Sequence, residues 1–149
     1  MKVFKSEVQE IKVSYQTSGI RKVKITSSSD AEQVFRPLFP VDIEHREAFT
    51  ILLLNRANNT IGHFTVSTGG ISSTVADIRI IFQVALKCNA TSLLICHNHP
   101  SGNLYPSEVD KKLTKRMVDA GNLLEIPVLD HLILTPDSYF SFADDGILV

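Results

Sequence analysis

The stretch CHNHPSGNLYPSEVD, residues 96–110, combines residue types that bind metals with a spacing that could bring them together. His97 and His99 are one residue apart, so an extended backbone points both imidazoles to the same side. Asp110 follows eleven residues after His99, and a Pro-Ser-Gly turn between them could fold the chain back. Imidazole and carboxylate are zinc ligands, and three protein ligands plus one open position are typical of a catalytic zinc site.

A catalytic zinc site needs two further groups. A carboxylate must take a proton from the zinc-bound water and return it to the leaving group. A hydroxyl or amide must donate a hydrogen bond to the oxyanion of the tetrahedral intermediate. Ser107 offers a hydroxyl close to Asp110, and Glu47, at the start of the apolar run EAFTILLL, is the candidate base. Glu44 and Asp42 stay open as alternative bases.

The remaining candidates have simpler explanations. His131, in the stretch LDHLIL, is a partner of a metal ligand, a substrate contact or, more commonly for such a position, a strand-end residue with satisfied hydrogen bonds. Cys96 should point away from His97 and pack in the core. We expect His45 and His63 on the surface. The loop around the metal is expected to be shaped by Asn98, Ser101 and Gly102, with Ser101 also a candidate substrate contact.

The elements that must position these residues follow from the hydrophobic periodicity. Strands are predicted over Val8 to Tyr15 and Val23–Ile25, with Gly19 ending the first. A helix should begin near Ser29 and end at or before the segment Pro37–Pro40. The clearest hairpin has its turn at Asn58–Asn59. Its second strand ends at Gly69–Gly70.

The second half of the chain alternates helices and strands. VADIRIIFQVALKCN has helical spacing with Asn89 as its stop, and TSLLIC reads as a strand buried on both faces. Ser107 and Asp110 resemble a capping box that opens the next helix, with Gly121 near its end. Strands PVLDHLILT and Tyr139–Phe142 follow. This order predicts an α/β or α+β fold, a mixed sheet flanked by helices in three layers.

Composition narrows the class of protein. A chain of 149 residues with a net charge of −1 predicts one ordinary globular domain and gives no general electrostatic case for binding nucleic acid or membranes. Residues 1–29 carry a net charge of +4, which we interpret as a solvated strand or arm packed on the main domain of residues 30–149. Two cysteines, no secretory signal and no run long enough to span a bilayer favour the reducing cytoplasm.

The spacing of these residues matches the motif of a known family. His97 and His99, then seven residues, Ser107, two residues and Asp110 reproduce the H-x-H-x7-S-x2-D core of the JAB/MPN (JAMM) metalloprotease-fold family. The sequence HNHPSG, together with VLDHLIL downstream, resembles the RadC-like branch of this family. The name of that branch refers to DNA repair. The resemblance covers roughly residues 30–149 and implies the three-layer, cytidine-deaminase-like architecture.

The resemblance also implies roles for individual residues. In that family a glutamate that opens a core strand is the general acid/base, and REAF places Glu47 there. Zn²⁺ would be bound by His97, His99 and Asp110, and Ser107 would support the oxyanion. Two departures stand out. The residue between the histidines, here Asn, is commonly Ser or Thr in the better-studied proteases. Full-length RadC-like proteins carry an N-terminal helix-hairpin-helix segment that these 149 residues leave no room for, so we expect no DNA contact through it.

The resulting prediction is a zinc metallopeptidase that hydrolyses a peptide or isopeptide bond in a protein or peptide substrate. A first rival is a non-catalytic, DNA-repair-associated module with a structural or vestigial zinc site. A second is a metal-dependent nuclease or phosphoesterase. Such enzymes often use two metals, however, and the net negative charge of residues 30–149 disfavours binding to duplex nucleic acid. Neither the physiological substrate nor the oligomeric state follows from the sequence.

Overall fold

The computed structural model describes residues 10–16, 19–70 and 75–149. In chain order the elements are α1 (Ser28–Leu38), β1 (Ala48–Leu54), β2 (Thr60–Thr68), α2 (Ile78–Lys87), β3 (Ser92–Asn98), α3 (Glu108–Leu123), β4 (Val128–Leu134) and β5 (Tyr139–Ser141). The strands form one sheet in the order β2-β1-β3-β4-β5. β3 and β4 run parallel, joined by α3, and the other neighbours run antiparallel. Among the described residues no helix is long and apolar enough to cross a bilayer.

The sheet is covered by helices on both faces, which confirms the predicted mixed sheet in three layers. α1 packs Ala31 and Phe35 on one face, against the alternate residues Leu52, Leu54, Leu94, Cys96, Leu132 and Leu134. α2 and α3 cover the other face, where Ile81, Phe82 and Met117 meet Ile51, Leu53, Leu93 and Ile95. β1 and β3 are buried at all seven positions because they lie in the middle of this sandwich. Cys96 therefore belongs to the core, as predicted.

Several local signals in the sequence act where they were expected. Asn58 adopts a left-handed backbone with φ 59° in the hairpin turn, and Asn89, with φ 56°, follows the end of α2. Asparagine tolerates this conformation better than most residues. At α3 the Ser107 side chain accepts from the Asp110 N–H while the Asp110 side chain accepts from the Ser107 N–H, a complete capping box.

Gly121 lies near the end of α3, as predicted: the helix ends at Leu123, and the left-handed residue beyond it is Glu125, with φ 58°. Gly121 also allows a close approach, since an added Cβ would lie 2.5 Å from the carbonyl oxygen of Ile126.

The N-terminal strands do not form as expected. Residues 8 and 9 of the first lie outside the described residues, and residues 10–15 are exposed and form no strand. The second, Val23–Ile25, is reduced to one bridge between Lys24 and Asn59. Alternation predicts a strand only where one face finds a core to pack on, and Ile11 and Val13 are 85% and 71% exposed. The boundary between an arm and the main domain stays a prediction.

Candidate metal centre

The end of β3 and the start of α3 bring the three predicted metal ligands together. His97 Nε2 lies 3.0 Å from His99 Nε2 and 3.4 Å from Asp110 Oδ1, and His99 Nε2 lies 3.3 Å from Asp110 Oδ2. One potential ligand atom from each residue falls within 4.8 Å of the others. His97 is buried, whereas His99 and Asp110 are partly exposed, so the cluster opens to solvent on one side.

A buried hydrogen-bond chain fixes the tautomer of His97. The Thr114 hydroxyl lies 2.7 Å from the backbone carbonyl of Asp110, which can only accept, and 2.7 Å from His131 Nδ1. The hydroxyl therefore donates to the carbonyl and accepts from His131 Nδ1–H. His131 Nε2 is then an acceptor, and it lies 2.7 Å from His97 Nδ1. Consequently His97 carries its proton on Nδ1 and presents the lone pair of Nε2 to the cluster.

His131 is neutral within this chain of hydrogen bonds. Burial, followed by the electrostatic effect of neighbouring His97, holds the pKa of His131 well below its ordinary value. It is fully buried within β4, opposite Ile95 of β3, and its ring stacks on Phe142 with the centroids 4.6 Å apart. The sequence left three roles open for His131. Its geometry fits the role of a hydrogen-bond partner of His97 and not that of a strand-end residue.

A tight turn fixes the tautomer of His99. Its Nδ1 lies 2.6 Å from the carbonyl oxygen of Asn103, so Nδ1 is the protonated nitrogen and Nε2 is again free. The turn is closed by a hydrogen bond from the Gly102 N–H to the His99 carbonyl, and Gly102 has φ +81°, a conformation that glycine adopts without strain. Ser101 accepts a hydrogen bond from the Asn103 N–H. The loop-shaping role expected of Ser101 and Gly102 is confirmed, whereas the Asn98 side chain bonds to Ile43, Arg46 and Ala48.

Asp110 is oriented by the capping box. The Ser107 N–H donates to Asp110 Oδ2 at 2.8 Å, which directs the carboxylate back over the start of α3 and toward the two imidazoles. Ser107 Oγ accepts from the Asp110 N–H at 3.1 Å, and this contact does not use the hydroxyl hydrogen. Ser107 can therefore cap the helix and still donate a hydrogen bond to another group.

The electrostatics of the cluster favour a cation. Two imidazole lone pairs and a carboxylate converge, and each imidazole has already used its N–H elsewhere. Burial favours a neutral Asp110. When a proton occupies the cluster, however, His97 and His99 can donate to the carboxylate through Nε2, and these hydrogen bonds hold the Asp110 pKa far below its ordinary range. Burial opposes a charge on His99 too, yet contacts with Asp110 and Asn103 raise its pKa. A proton or a metal ion would relieve the repulsion between the two lone pairs, so the three residues could hold a metal.

Glu47 lies on the same side of the sheet as the cluster. Phe49 of β1 pairs with His97 of β3, the last pair of this ladder; continued by two residues, the same antiparallel register would bring Glu47 opposite His99. Phe49 stacks on the ring of His97, and Glu47, two residues earlier, shares its face of the strand. The charge of Glu47 acts on His99 and contributes to raising its pKa.

The alternative bases have other surroundings. Both Asp42 and Glu44 are exposed in the turn that precedes β1, where Asp42 Oδ1 accepts from the Glu44 N–H. The register thus favours Glu47 among the three carboxylates. His45 and His63 are exposed, as predicted.

The sequence did not reveal Thr114 as part of the site. A local signal existed, because Thr114 is four residues after Asp110 and therefore on the same face of α3. The hydroxyl contacts His131, which lies on the next strand along the chain, and this contact depends on how α3 packs on β4.

Comparison with known proteins shows the family of the chain. The model of the RadC-like JAB domain matches residues 25–147. A UPF0758 protein of Flavobacterium johnsoniae is 46% identical over 124 residues, which are 83% of this chain and 53% of that protein. A UPF0758 protein of Salinibacter ruber is 37% identical over 137 residues, 92% of this chain and 58% of the relative. UPF0758 protein YfjY of Escherichia coli K12 is 45% identical over 103 residues, 69% of this chain and 64% of the relative.

The chain thus spans a little over half the length of the first two relatives, and the names of all three specify no reaction. The family match nevertheless covers most of the chain and includes every residue of the cluster. The chain belongs to the RadC-like JAB domain family.

Proposed function

We propose that the chain is a zinc-dependent hydrolase that cleaves an amide bond, peptide or isopeptide, in a protein or peptide substrate. The observation that carries this proposal is the convergence of His97 Nε2, His99 Nε2 and the Asp110 carboxylate, with both Nδ1 atoms committed to other acceptors. Histidines whose tautomers are fixed in this way can bind a metal through Nε2 without rearranging.

The donor set selects the class of metal. Two imidazole nitrogens and one carboxylate oxygen suit zinc, which takes nitrogen and oxygen ligands in a four-coordinate site. Three protein ligands leave one position for water or substrate, as in catalytic rather than structural zinc sites. The partly exposed His99 and Asp110 are consistent with an open side of the cluster. Zinc is therefore the proposed cofactor.

The chain's own residues take the remaining roles in this proposal. Bound zinc would supply Lewis acidity that polarises the scissile carbonyl and acidifies water. Glu47 takes a proton from the attacking water and delivers it to the amide nitrogen as the C–N bond breaks. Ser107 donates its free hydroxyl hydrogen to the carbonyl oxygen as that atom gains negative charge. The products are a carboxylic acid and an amine, so the atoms of one water are accounted for.

Zinc analysis of the purified chain tests the ligand assignment. We expect one zinc per chain in the wild type and its loss in His99→Ala. His63→Ala, which removes an exposed histidine of β2, is the matched control and should keep the metal. Stoichiometric zinc in His99→Ala would contradict the assignment.

Amine release tests the reaction. The probe is a mixture of unmodified peptides and of peptides branched through a lysine isopeptide bond, with new amines measured by mass spectrometry. The wild type should release amines, whereas Glu47→Gln should bind zinc and release none. If Glu47→Gln keeps its activity, the base is another residue. Zinc-loaded wild type that cleaves neither class would contradict the proposed function.

A further inference from the structure

Asn98, the residue between the two histidines, has an amide side chain that is buried and fully engaged. It is 0% exposed at the end of β3. Its Oδ1 accepts from the Ala48 N–H at 2.9 Å, and its Nδ2 donates to the carbonyl oxygens of Arg46 at 2.8 Å and Ile43 at 2.9 Å. Both N–H bonds and the carbonyl oxygen are thus used, and the partners lie in the segment that leads into β1 and at the first residue of that strand.

Two of these partners are the peptide groups on either side of Glu47. The Arg46 carbonyl belongs to the peptide bond before Glu47, and the Ala48 N–H belongs to the one after it. The opposite edge of the same residue is also fixed, because the Glu47 N–H donates to Gly70 O at 3.2 Å and Gly69 N–H donates to Glu47 O at 2.8 Å. The backbone of Glu47 is therefore held from both sides.

We propose that Asn98 is a positioning residue that sets the location of Glu47 relative to the metal ligands. The inference rests on the proposed function, in which Glu47 is the base. His97 and His99 are the chain neighbours of Asn98, so one side chain links both ligands to both peptide groups of the base. A misplacement of about 1 Å can cost about 10²-fold in rate, which is why such a link matters.

The hydrogen bonds also explain why an amide is suited to this position. Ala48 offers a donor, whereas Arg46 and Ile43 offer acceptors, so the complementary side chain must accept once and donate twice. A serine could satisfy only part of this set, and an alanine none. The ligands do not depend on these contacts, because His97 is fixed by His131 and His99 by Asn103. Loss of the amide should therefore move the base and leave the metal.

Cobalt substitution separates positioning from a general structural role. Asn98→Ala, Asn98→Ser, Glu47→Gln and wild type are loaded with Co²⁺, and the visible d–d spectrum and metal stoichiometry are recorded. The matched control is Ser92→Ala, on the same strand: Ser92 is buried and its hydroxyl has no hydrogen-bond partner among the described residues. Amide hydrogen exchange of residue 48 provides a second, metal-independent readout.

We expect all variants to bind one Co²⁺. Glu47→Gln should alter the spectrum, the Asn98 variants should alter it as well, and Ser92→Ala should not. Exchange at residue 48 should accelerate about tenfold in Asn98→Ala, on the order of one lost hydrogen bond, and less in Asn98→Ser.

The outcomes distinguish the two proposals. A wild-type spectrum with wild-type protection at residue 48 in both Asn98 variants would overturn the positioning role while leaving Glu47 as the base. A wild-type spectrum in Glu47→Gln would instead show that Glu47 does not act at the metal, and this result would contradict the proposed function itself. If Asn98→Ala does not fold, Asn98→Ser carries the same test.

Discussion

His131 Nε2 lies 2.7 Å from His97 Nδ1 and accepts a hydrogen bond from it, so a histidine on β4 determines which nitrogen of His97 faces the candidate metal site. The acceptor role of His131 Nε2 is imposed in turn by Thr114, whose hydroxyl accepts a hydrogen bond from His131 Nδ1–H. Three buried side chains on β3, β4 and α3 therefore act as one unit. Such outer hydrogen bonds hold a ligand ring in orientation and raise its basicity.

Replacing His131 by phenylalanine should weaken zinc binding. An aromatic ring would preserve the stacking on Phe142, but His97 would lose its acceptor and could expose the wrong tautomer. We expect zinc affinity to fall about 10- to 100-fold, measured by competition with a chromophoric chelator. His45→Phe, an exposed histidine outside the chain of hydrogen bonds, is the control. Equal affinities for the two variants would show that the contact does not prepare His97.

Two buried threonines offer a matched pair for stability. Thr114 is 1% exposed and bridges His131 to α3, whereas Thr50 is 0% exposed and its hydroxyl has no hydrogen-bond partner within the described residues. Thr114→Val leaves His131 Nδ1–H buried without an acceptor and should cost about 1–3 kcal/mol of unfolding free energy. Thr50→Val removes an unpaired polar group and should be neutral or stabilising.

Urea unfolding of the metal-free protein measures both changes. The same atoms are exchanged in each variant, so the difference between them reports the hydrogen-bond chain and not the loss of a hydroxyl. A similar destabilisation in Thr50→Val and Thr114→Val would mean that the hydrogen bonds linking Thr114, His131 and His97 contribute nothing to the free energy of unfolding.

The sequence predicted the cluster of candidate metal ligands because its geometry is local. His97 and His99 share a strand face through the period of two, and Asp110 is placed by a capping box that can be read from Ser107 onward. Strand and helix meet across a turn of a few residues. No long-range pairing had to be known to bring these groups together.

The supporting residues could not be predicted in the same way. His131 reaches His97 only through the parallel pairing of β3 with β4, and Asn98 reaches the segment before β1 only through an antiparallel pairing with residues some fifty positions away. Neither register is encoded in local periodicity. The N-terminal strands failed for a related reason, since alternation at Ile11 and Val13 does not reveal whether a partner is available.

Zinc binding should weaken as the pH falls. Because the pKa of His99 is raised, the metal-free site keeps a proton above the ordinary histidine range, and zinc must displace it. Below the raised pKa, each pH unit should lower the apparent affinity about tenfold; above it, the dependence should flatten. Asp110 adds nothing in this range because its pKa is depressed. Competition titrations from about pH 6 to about pH 8 test this, and a flat profile would contradict it.

Ser107 combines a helix cap with a hydrogen-bond donor, and two substitutions separate these roles. Ser107→Gly removes the hydroxyl, yet glycine is a tolerated N-cap, so the loss of stability should be only about a few tenths of a kcal/mol. If the hydroxyl supports the oxyanion, the same variant should lose about 10²–10³-fold in kcat with zinc still bound. Ser107→Thr keeps both groups and should restore most of the activity. Thermal unfolding, zinc analysis and amine release on the peptide mixture measure the three quantities. Wild-type turnover in Ser107→Gly would confine Ser107 to its capping box with Asp110, the contact already seen in the fold.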